Sequence, residues 1–158
     1  MAAPGQYTIH ISLDGAAPVV SKPFNLMIDP RLAEQGVTAE VIDEHIALAQ
    51  KVSDLLTSAR KLEVNAIKNL NQLKAAYGDM PKEEWEPKIV AEFEKTKALL
   101  SVLQTEPDVI YPKPMLVSQI SYLYNILNTA DQKPGKDAYE RFDELNQKYQ
   151  EISHKYAE

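Results

Sequence analysis

The sequence predicts a mainly α fold: an up-and-down antiparallel four-helix bundle with one long first helix, preceded by an N-terminal β-hairpin. Three observations predict it. From Val41 to Tyr77, apolar residues recur at alternating spacings of four and three, the seam of a long packed helix. Three shorter stretches downstream carry helical stripes of their own, separated by proline- or glycine-bearing breaks. The first part of the chain instead alternates with period two around Asp14-Gly15. The expected division is residues 1–36 as the hairpin and residues 37–158 as the bundle.

The hairpin is read from two runs. Tyr7, Ile9, Ile11 and Leu13 alternate with Thr8, His10 and Ser12, as in a half-buried strand. Asp14-Gly15 is a turn dipeptide, and Ala16 to Pro18 lengthen the loop. The second run, Val19 to Ile28, alternates at Phe24, Leu26 and Ile28, and Pro23 within it marks an edge strand or a bulge. A lone two-stranded hairpin is marginal in water. These strands are therefore expected either to pack on the helices or to belong to a sheet whose other strands lie elsewhere. Asp29-Pro30-Arg31 ends the β region.

The first helix starts at Thr38, a good N-cap, with Glu40 in the first turn where the helix dipole favours an acid. Its seam is Val41, His45, Leu48, Val52, Leu55, Ala59, Leu62 and Ala66. There it slips by one residue and continues through Leu70, Leu73 and Tyr77, and the slip is where contacts along the helix should change. At about 1.5 Å per residue this helix is roughly 55 Å long, and Gly78 ends it. The second helix carries Trp85, Ile89, Phe93, Thr96, Leu100 and Leu103, with a kink or fresh start at Pro87, and ends near Thr105. Residues 106–114 hold three prolines and read as an extended loop, with Val109, Ile110 and Tyr111 tucked against the bundle. The third helix runs from about Pro114 to Ala130 on Leu116, Ile120, Leu123 and Leu127. The fourth begins at Pro134 and has the cleanest stripe: Ala138, Phe142, Leu145, Tyr149, Ile152 and Tyr156.

A chain of 158 residues, 44% hydrophobic and 25% charged, is long enough for one domain with a real core. No apolar run approaches the ~20 residues of a membrane span, and no basic region followed by an apolar stretch follows Met1. With a net charge of −6 and cations dispersed among acids, neither nucleic acid nor an anionic membrane surface is an expected partner. The absence of cysteine removes disulfides, thiolate metal sites and cysteine nucleophiles.

No constellation of residues reads as catalytic, cofactor-binding or metal-binding. His45 sits on the inner seam and is read as a partly buried histidine bonded to a neighbour. Glu151 and His154 give one Glu-x-x-His pair, where a dimetal bundle needs two. Gly135-Lys136-Asp137 lacks the flanking residues of a nucleotide loop. The acid pairs Asp43/Glu44 and Glu83/Glu84 point apart on their helices rather than facing one substrate. Tyr111, Tyr122, Tyr124 and Tyr139 cluster around the third and fourth helices, as boundary packing or as an exposed aromatic patch. Ala47, Ala59 and Ala66 leave either close helix contacts or an apolar cavity.

Several stretches carry a resemblance. Pro4-Gly5-Gln6-Tyr7-Thr8-Ile9 followed by Leu13-Asp14-Gly15 is similar to the last hairpin of Ig-like or fibronectin-like modules. Phe24 to Ile28, then Asp29-Pro30-Arg31 and a long helix, resembles the C-terminal region of bacterial sortilin-like β-propeller proteins with neuraminidase-type repeats, often labelled glycosyl hydrolases. Tyr111-Pro112-Lys113-Pro114-Met115-Leu116, the run Gln119 to Tyr124, and Ala130 to Phe142 match the same region. The resemblance implies the tail of a larger extracytoplasmic protein, its last two Ig-like strands plus a helical bundle. It carries no catalytic residue to this chain. It implies that Pro30 stops the strand and leaves Arg31 free to pair with an acid.

The expected function is a non-catalytic structural or protein-interaction module. Its expected partners are the rest of the parent protein or another chain, including a second copy through the free hairpin edge. The alternatives are a glycosyl hydrolase fragment lacking its catalytic part and a small-ligand-binding helical bundle. No cofactor is expected.

Overall fold

The computed structural model describes residues 2–106 and 108–157; Met1, Glu158 and Pro107, the first of the three loop prolines, lie outside the described residues. The chain is mainly helical with a two-stranded antiparallel hairpin at its N-terminal end. Among the described residues no helix is long and apolar enough to cross a membrane.

Strands β1 (Gly5–Ile11) and β2 (Val20–Leu26) pair from Gly5–Leu26 at the base to Ile11–Val20 at the tip. Asp14 and Gly15 both take positive φ, 52° and 75°, and the Ala16 N–H donates to the Leu13 carbonyl at 2.9 Å. Two successive positive φ values give a type I′-like turn, set within the eight-residue connection 12–19 between the strands. Register runs unbroken past Pro23, which sits opposite Thr8. There is no bulge: in a two-stranded sheet each strand has an open side, where a missing N–H removes no ladder bond.

Asp29-Pro30-Arg31 does more than end the strand. It starts a short helix, α1 (Pro30–Glu34), which the sequence signals did not reveal. Asp29 Oδ1 accepts the Arg31 N–H at 2.9 Å, and the Arg31 guanidinium pairs with the same carboxylate at 2.6 Å. The guanidinium bond holds the Asp29 carboxyl below the usual carboxylate range.

Helix α2 (Ala39–Tyr77) begins as expected: Thr38 Oγ1 accepts the Val41 N–H at 3.3 Å. Its buried residues are Ile42, His45, Leu48, Val52, Leu55, Ala59 and Ala66. Ile42 replaces Val41 at the first turn, and Leu62 is only half-buried. Beyond Ala66 the seam residues Leu70, Leu73 and Tyr77 are half-buried too. The slip has a physical cause. Tyr156, at the end of the last helix, borders a cleft with Leu62 and Ala66, so beyond that level α2 has one helical neighbour instead of two.

The chain then reverses through a single 3₁₀ turn, Lys82–Glu84, and α3 (Pro87–Leu103) starts afresh with proline at its first position. Trp85 closes this end. Its ring lies 5.8 Å from Tyr77 and edge-on to Phe93 at 5.2 Å, and its Nε1–H donates to the Met80 carbonyl at 3.2 Å. Helix α4 (Leu116–Leu127) is shorter than expected at its C-terminal end. Helix α5 (Lys136–Ala157) starts two residues after Pro134, which is buried rather than helical.

Contacts between the helices give their directions. Asn69 Nδ2 donates to Glu92 Oε1 at 2.7 Å and to Thr96 Oγ1 at 3.1 Å, while Tyr77 further along α2 meets Trp85 just before α3, so α3 runs antiparallel to the far half of α2. Arg60 reaches Ser121 Oγ at 3.4 Å and His45 Nε2 reaches the Leu127 carbonyl at 2.5 Å, so α4 is antiparallel to the near half. The Tyr139 hydroxyl donates to Glu44 at 2.9 Å, and with Tyr156 beside Ala66 this makes α5 parallel to α2. The strict up-and-down alternation expected from the sequence therefore fails between α3 and α4, which follow each other in one direction along α2. Length explains it. At about 1.5 Å per residue α2 spans ~58 Å, and neither α3 at ~25 Å nor α4 at ~18 Å covers it alone. The helices share one core, in which Val52, Ala59, Leu103, Ile120 and Leu145 are 0% exposed.

The joint between α3 and α4 is tied at its base. Thr105 Oγ1 accepts the Met115 N–H at 2.9 Å and meets Ser118 Oγ at 2.8 Å. Its tip contradicts expectation: Val109, Ile110 and Tyr111 are exposed, the last two at 89% and 93%. With the base fixed and Pro112 and Pro114 restricting the backbone, the intervening residues loop outward rather than folding back.

Side-chain bonds dress α5. Glu144 pairs with Lys148 at 2.6 Å and with Arg141 at 2.5 Å, and Arg141 also reaches Gln119 on α4 at 2.7 Å. Lys148 first, then Arg141, holds the Glu144 carboxyl below its ordinary range. A carboxyl whose pKa is lowered in the folded state adds stability above its unfolded pKa, and that stability is lost as pH falls through the folded value. Glu144→Gln is thus expected to lower the urea midpoint slightly at about pH 7 and to leave it unchanged near pH 2, because exposure keeps the contribution small. An equal effect at both pH values would contradict it.

Candidate interaction surface

The pleat sorts the hairpin into two faces. Tyr7, Ile9 and Ile11 of β1 lie opposite Phe24, Lys22 and Val20 of β2, all on one side. Thr8 and His10 lie opposite Pro23 and Ser21 on the other, with His10 Nδ1 2.7 Å from Ser21 Oγ. The first face is apolar apart from Lys22. Tyr7 and Phe24 stack with centroids 5.7 Å apart at 29°, and the Tyr7 hydroxyl donates to the Ala3 carbonyl at 2.6 Å.

This face is uncovered. Tyr7 is 36% exposed, Ile9 53%, Ile11 54%, and Val20 and Phe24 43% each, with Leu13 and Val19 above 60% at the tip. Of the two arrangements open to these strands, packing on the helices does not occur. The hairpin meets the helices at its base, where Leu26, Met27, Ile28, Leu32 and Ile42 border a cleft of about 240 Å³. The alternation that reads as half-burial is present, and the apolar face that it defines is exposed.

The tyrosines do not form one patch. Tyr111 and Tyr122 are exposed, while Tyr124 packs against the core. Tyr139 is half-buried, and burial, followed by its bond to Glu44, pushes its phenol up. Glu44 lies 3.7 Å from Lys133 as well, whereas its neighbour Asp43 is exposed. Glu83 and Glu84 are exposed in the 3₁₀ turn.

His45 has a structural part to play. It is 2% exposed, and its Nε2–H donates to the Leu127 carbonyl, the last of α4, which has no intrahelical donor. A residue of α2 thus caps the C-terminus of α4. Nδ1 has no partner among the described residues. Glu151 accepts from Gln147 at 2.9 Å, and His154 is exposed near the end of α5. Among the described residues no group of three or more His, Asp or Glu side chains is placed to hold a metal ion.

The larger clefts, about 280 and 300 Å³, each present a single carboxylate, Glu92 and Asp137. The junction cleft at the hairpin base holds Asp29 and Asp131, but Asp29 is already bound to Arg31. Ala59 is fully buried in close helix contact and Ala66 borders the 280 Å³ cleft, while Ala47 is exposed. No protein-family model, curated protein or solved structure matches this chain.

Proposed function

We propose that the chain is a non-catalytic structural and protein-interaction module, the C-terminal region of a longer extracytoplasmic β-propeller protein of the kind it resembles. In this reading residues 37–158 form one four-helix bundle in which α3 and α4 together flank α2. Residues 1–36 are the end of an Ig-like sheet presented by that bundle. The outward apolar face of the hairpin supports it. A two-stranded sheet with one greasy face needs a second layer, and sheets in a sandwich pack about 10 Å apart with interdigitating side chains. The second layer comes from the rest of the parent protein or from another chain. The Asp29 cap and its bond to Arg31 stiffen the joint between sheet and bundle.

A photo-crosslinking residue at Ile9 and, separately, at Thr8 tests this in the native host. The expected result is a discrete crosslink from position 9, either within the parent protein or to another chain, as mapped by mass spectrometry, and none from position 8. Equal crosslinking from both faces, or none of either kind from position 9, would remove the reading.

A further inference from the structure

We infer that the tip of the α3–α4 connection is an endoproteolytic site, cut after Val109 or Ile110 by a protease that takes an aliphatic residue, and that the cut chain stays folded as two fragments. The inference goes beyond the interaction-module reading and does not use the hairpin. Three observations lead to it.

The first is the state of the backbone. Val109, Ile110 and Tyr111 are 45%, 89% and 93% exposed. An endoprotease binds its substrate as an extended strand, through main-chain groups that must be free to pair. Among the described residues, the backbone of Ile110 to Lys113 belongs to no helix or strand and enters no backbone hydrogen bond. Pro112 also biases Tyr111 toward extended conformations. The other connections are fastened. In the hairpin loop the Ala16 and Val19 N–H groups donate to Leu13 and Ile11 at 2.9 and 2.8 Å. Between α2 and α3, Met80, Glu84 and Trp85 donate to Tyr77, Pro81 and Lys82 at 2.9–3.2 Å. Between α4 and α5, Thr129 donates to Ile126 and Ala138 to Gly135, both at 3.1 Å, and Pro134 is buried.

The second is side-chain chemistry. Glu106, Tyr111 and Lys113, which acid-, aromatic- and base-selective proteases take, are each followed by proline. A proline nitrogen carries no N–H and its ring crowds the residue before it, so those three bonds resist cutting. Val109–Ile110 and Ile110–Tyr111 have aliphatic residues on their acyl side and no proline across the bond. Hydrolysis adds one water across the amide. It leaves a carboxylate on Val109 or Ile110 and an ammonium on the residue that follows, with no change of oxidation state.

The third is what remains joined. Thr105 Oγ1 accepts the Met115 N–H at 2.9 Å and Gln119 Nε2 donates to the Pro114 carbonyl at 2.6 Å, both clear of the cut. Leu116, Ile120, Leu123, Leu127 and Leu145 of the second fragment lie buried in the same core as Val52, in the first. His45 to Leu127 and Arg60 to Ser121 are hydrogen bonds between the two fragments.

Dilute elastase and, separately, dilute trypsin on the folded full chain test this, with products read by intact mass. Elastase is expected to cut first after Val109 or Ile110, and trypsin to leave the connection whole. Ile110→Pro, which puts proline into both aliphatic bonds at an exposed and unbonded position, should slow the first elastase cut by about tenfold or more. Circular dichroism of that variant should match the parent, so that slower cutting is not a change of fold. The nicked protein should elute from gel filtration as one particle and keep its helical signal. A first elastase cut in the hairpin loop or the α2–α3 turn overturns the inference. So does an Ile110→Pro chain cut as fast as the parent, or a nicked chain whose fragments separate.

Discussion

Replacing Leu145 with alanine is expected to lower the unfolding free energy by about 3 kcal/mol, within the usual range for a buried leucine. Leu145 is 0% exposed, while the other stripe residues of α5, namely Ala138, Phe142, Tyr149, Ile152 and Tyr156, pack half-buried against the core. Leu145 is therefore the α5 side chain whose truncation leaves a closed cavity rather than one open to water. Against a total of roughly 5–15 kcal/mol for a domain, the loss is large. Urea unfolding followed by helical circular dichroism would show it as a lowered midpoint with an unchanged slope. Ile152→Ala should cost distinctly less, because part of its surface is already wet in the folded state. Equal costs at the two positions would mean that α5 is not anchored as described.

His45→Ala is expected to cost a comparable amount, about 2–4 kcal/mol, through two separable losses. One is the cavity left by a ring 2% exposed; the other is the orphaned Leu127 carbonyl. Two further substitutions divide them. His45→Phe fills the space but offers no donor to the carbonyl. His45→Gln brings an N–H to a similar reach and should recover part of the loss. If alanine, phenylalanine and glutamine were equally costly in urea titrations, the bond from α2 to the end of α4 would contribute nothing. Nitrogen chemical shifts of His45 give a direct check, because donation from Nε2 requires the proton on that nitrogen.

The sequence was most informative where structure is local. Thr38 as the N-cap, the start of α3 at Pro87 and the Asp14-Gly15 turn each follow from the backbone preferences of a few adjacent residues. The core stripe of α2 was readable for the same reason, since helix geometry brings His45, Leu48, Val52 and Leu55 to one side whatever lies against them. Even the slip after Ala66 had a counterpart, the level at which α5 ends. The short α1 escaped notice because one turn has too few residues to show a period. Ile42 rather than Val41 entered the core because the two are neighbours around the helix, and only the position of the facing helix chooses between them.

The candidate surface was legible in composition but not in orientation. Alternation along Tyr7, Ile9 and Ile11 says that these residues share a side. It does not say whether helices, further strands or water lie against that side. Likewise Val109, Ile110 and Tyr111 look like core residues by type, and the tie from Thr105 to Met115 is what throws them outward.

By itself the sequence determined which of the longer segments are helix and strand, roughly where they begin, and which side of each is apolar. Those properties depend on residues within a turn or two of one another. Tertiary structure alone decided that α3 and α4 run in the same direction along α2, that His45 caps α4 from 82 positions away in the chain, and that the hairpin turns its apolar face away from the helices. Each of these depends on what a face meets, and that is set by the summed lengths and joints of distant segments rather than by any local pattern.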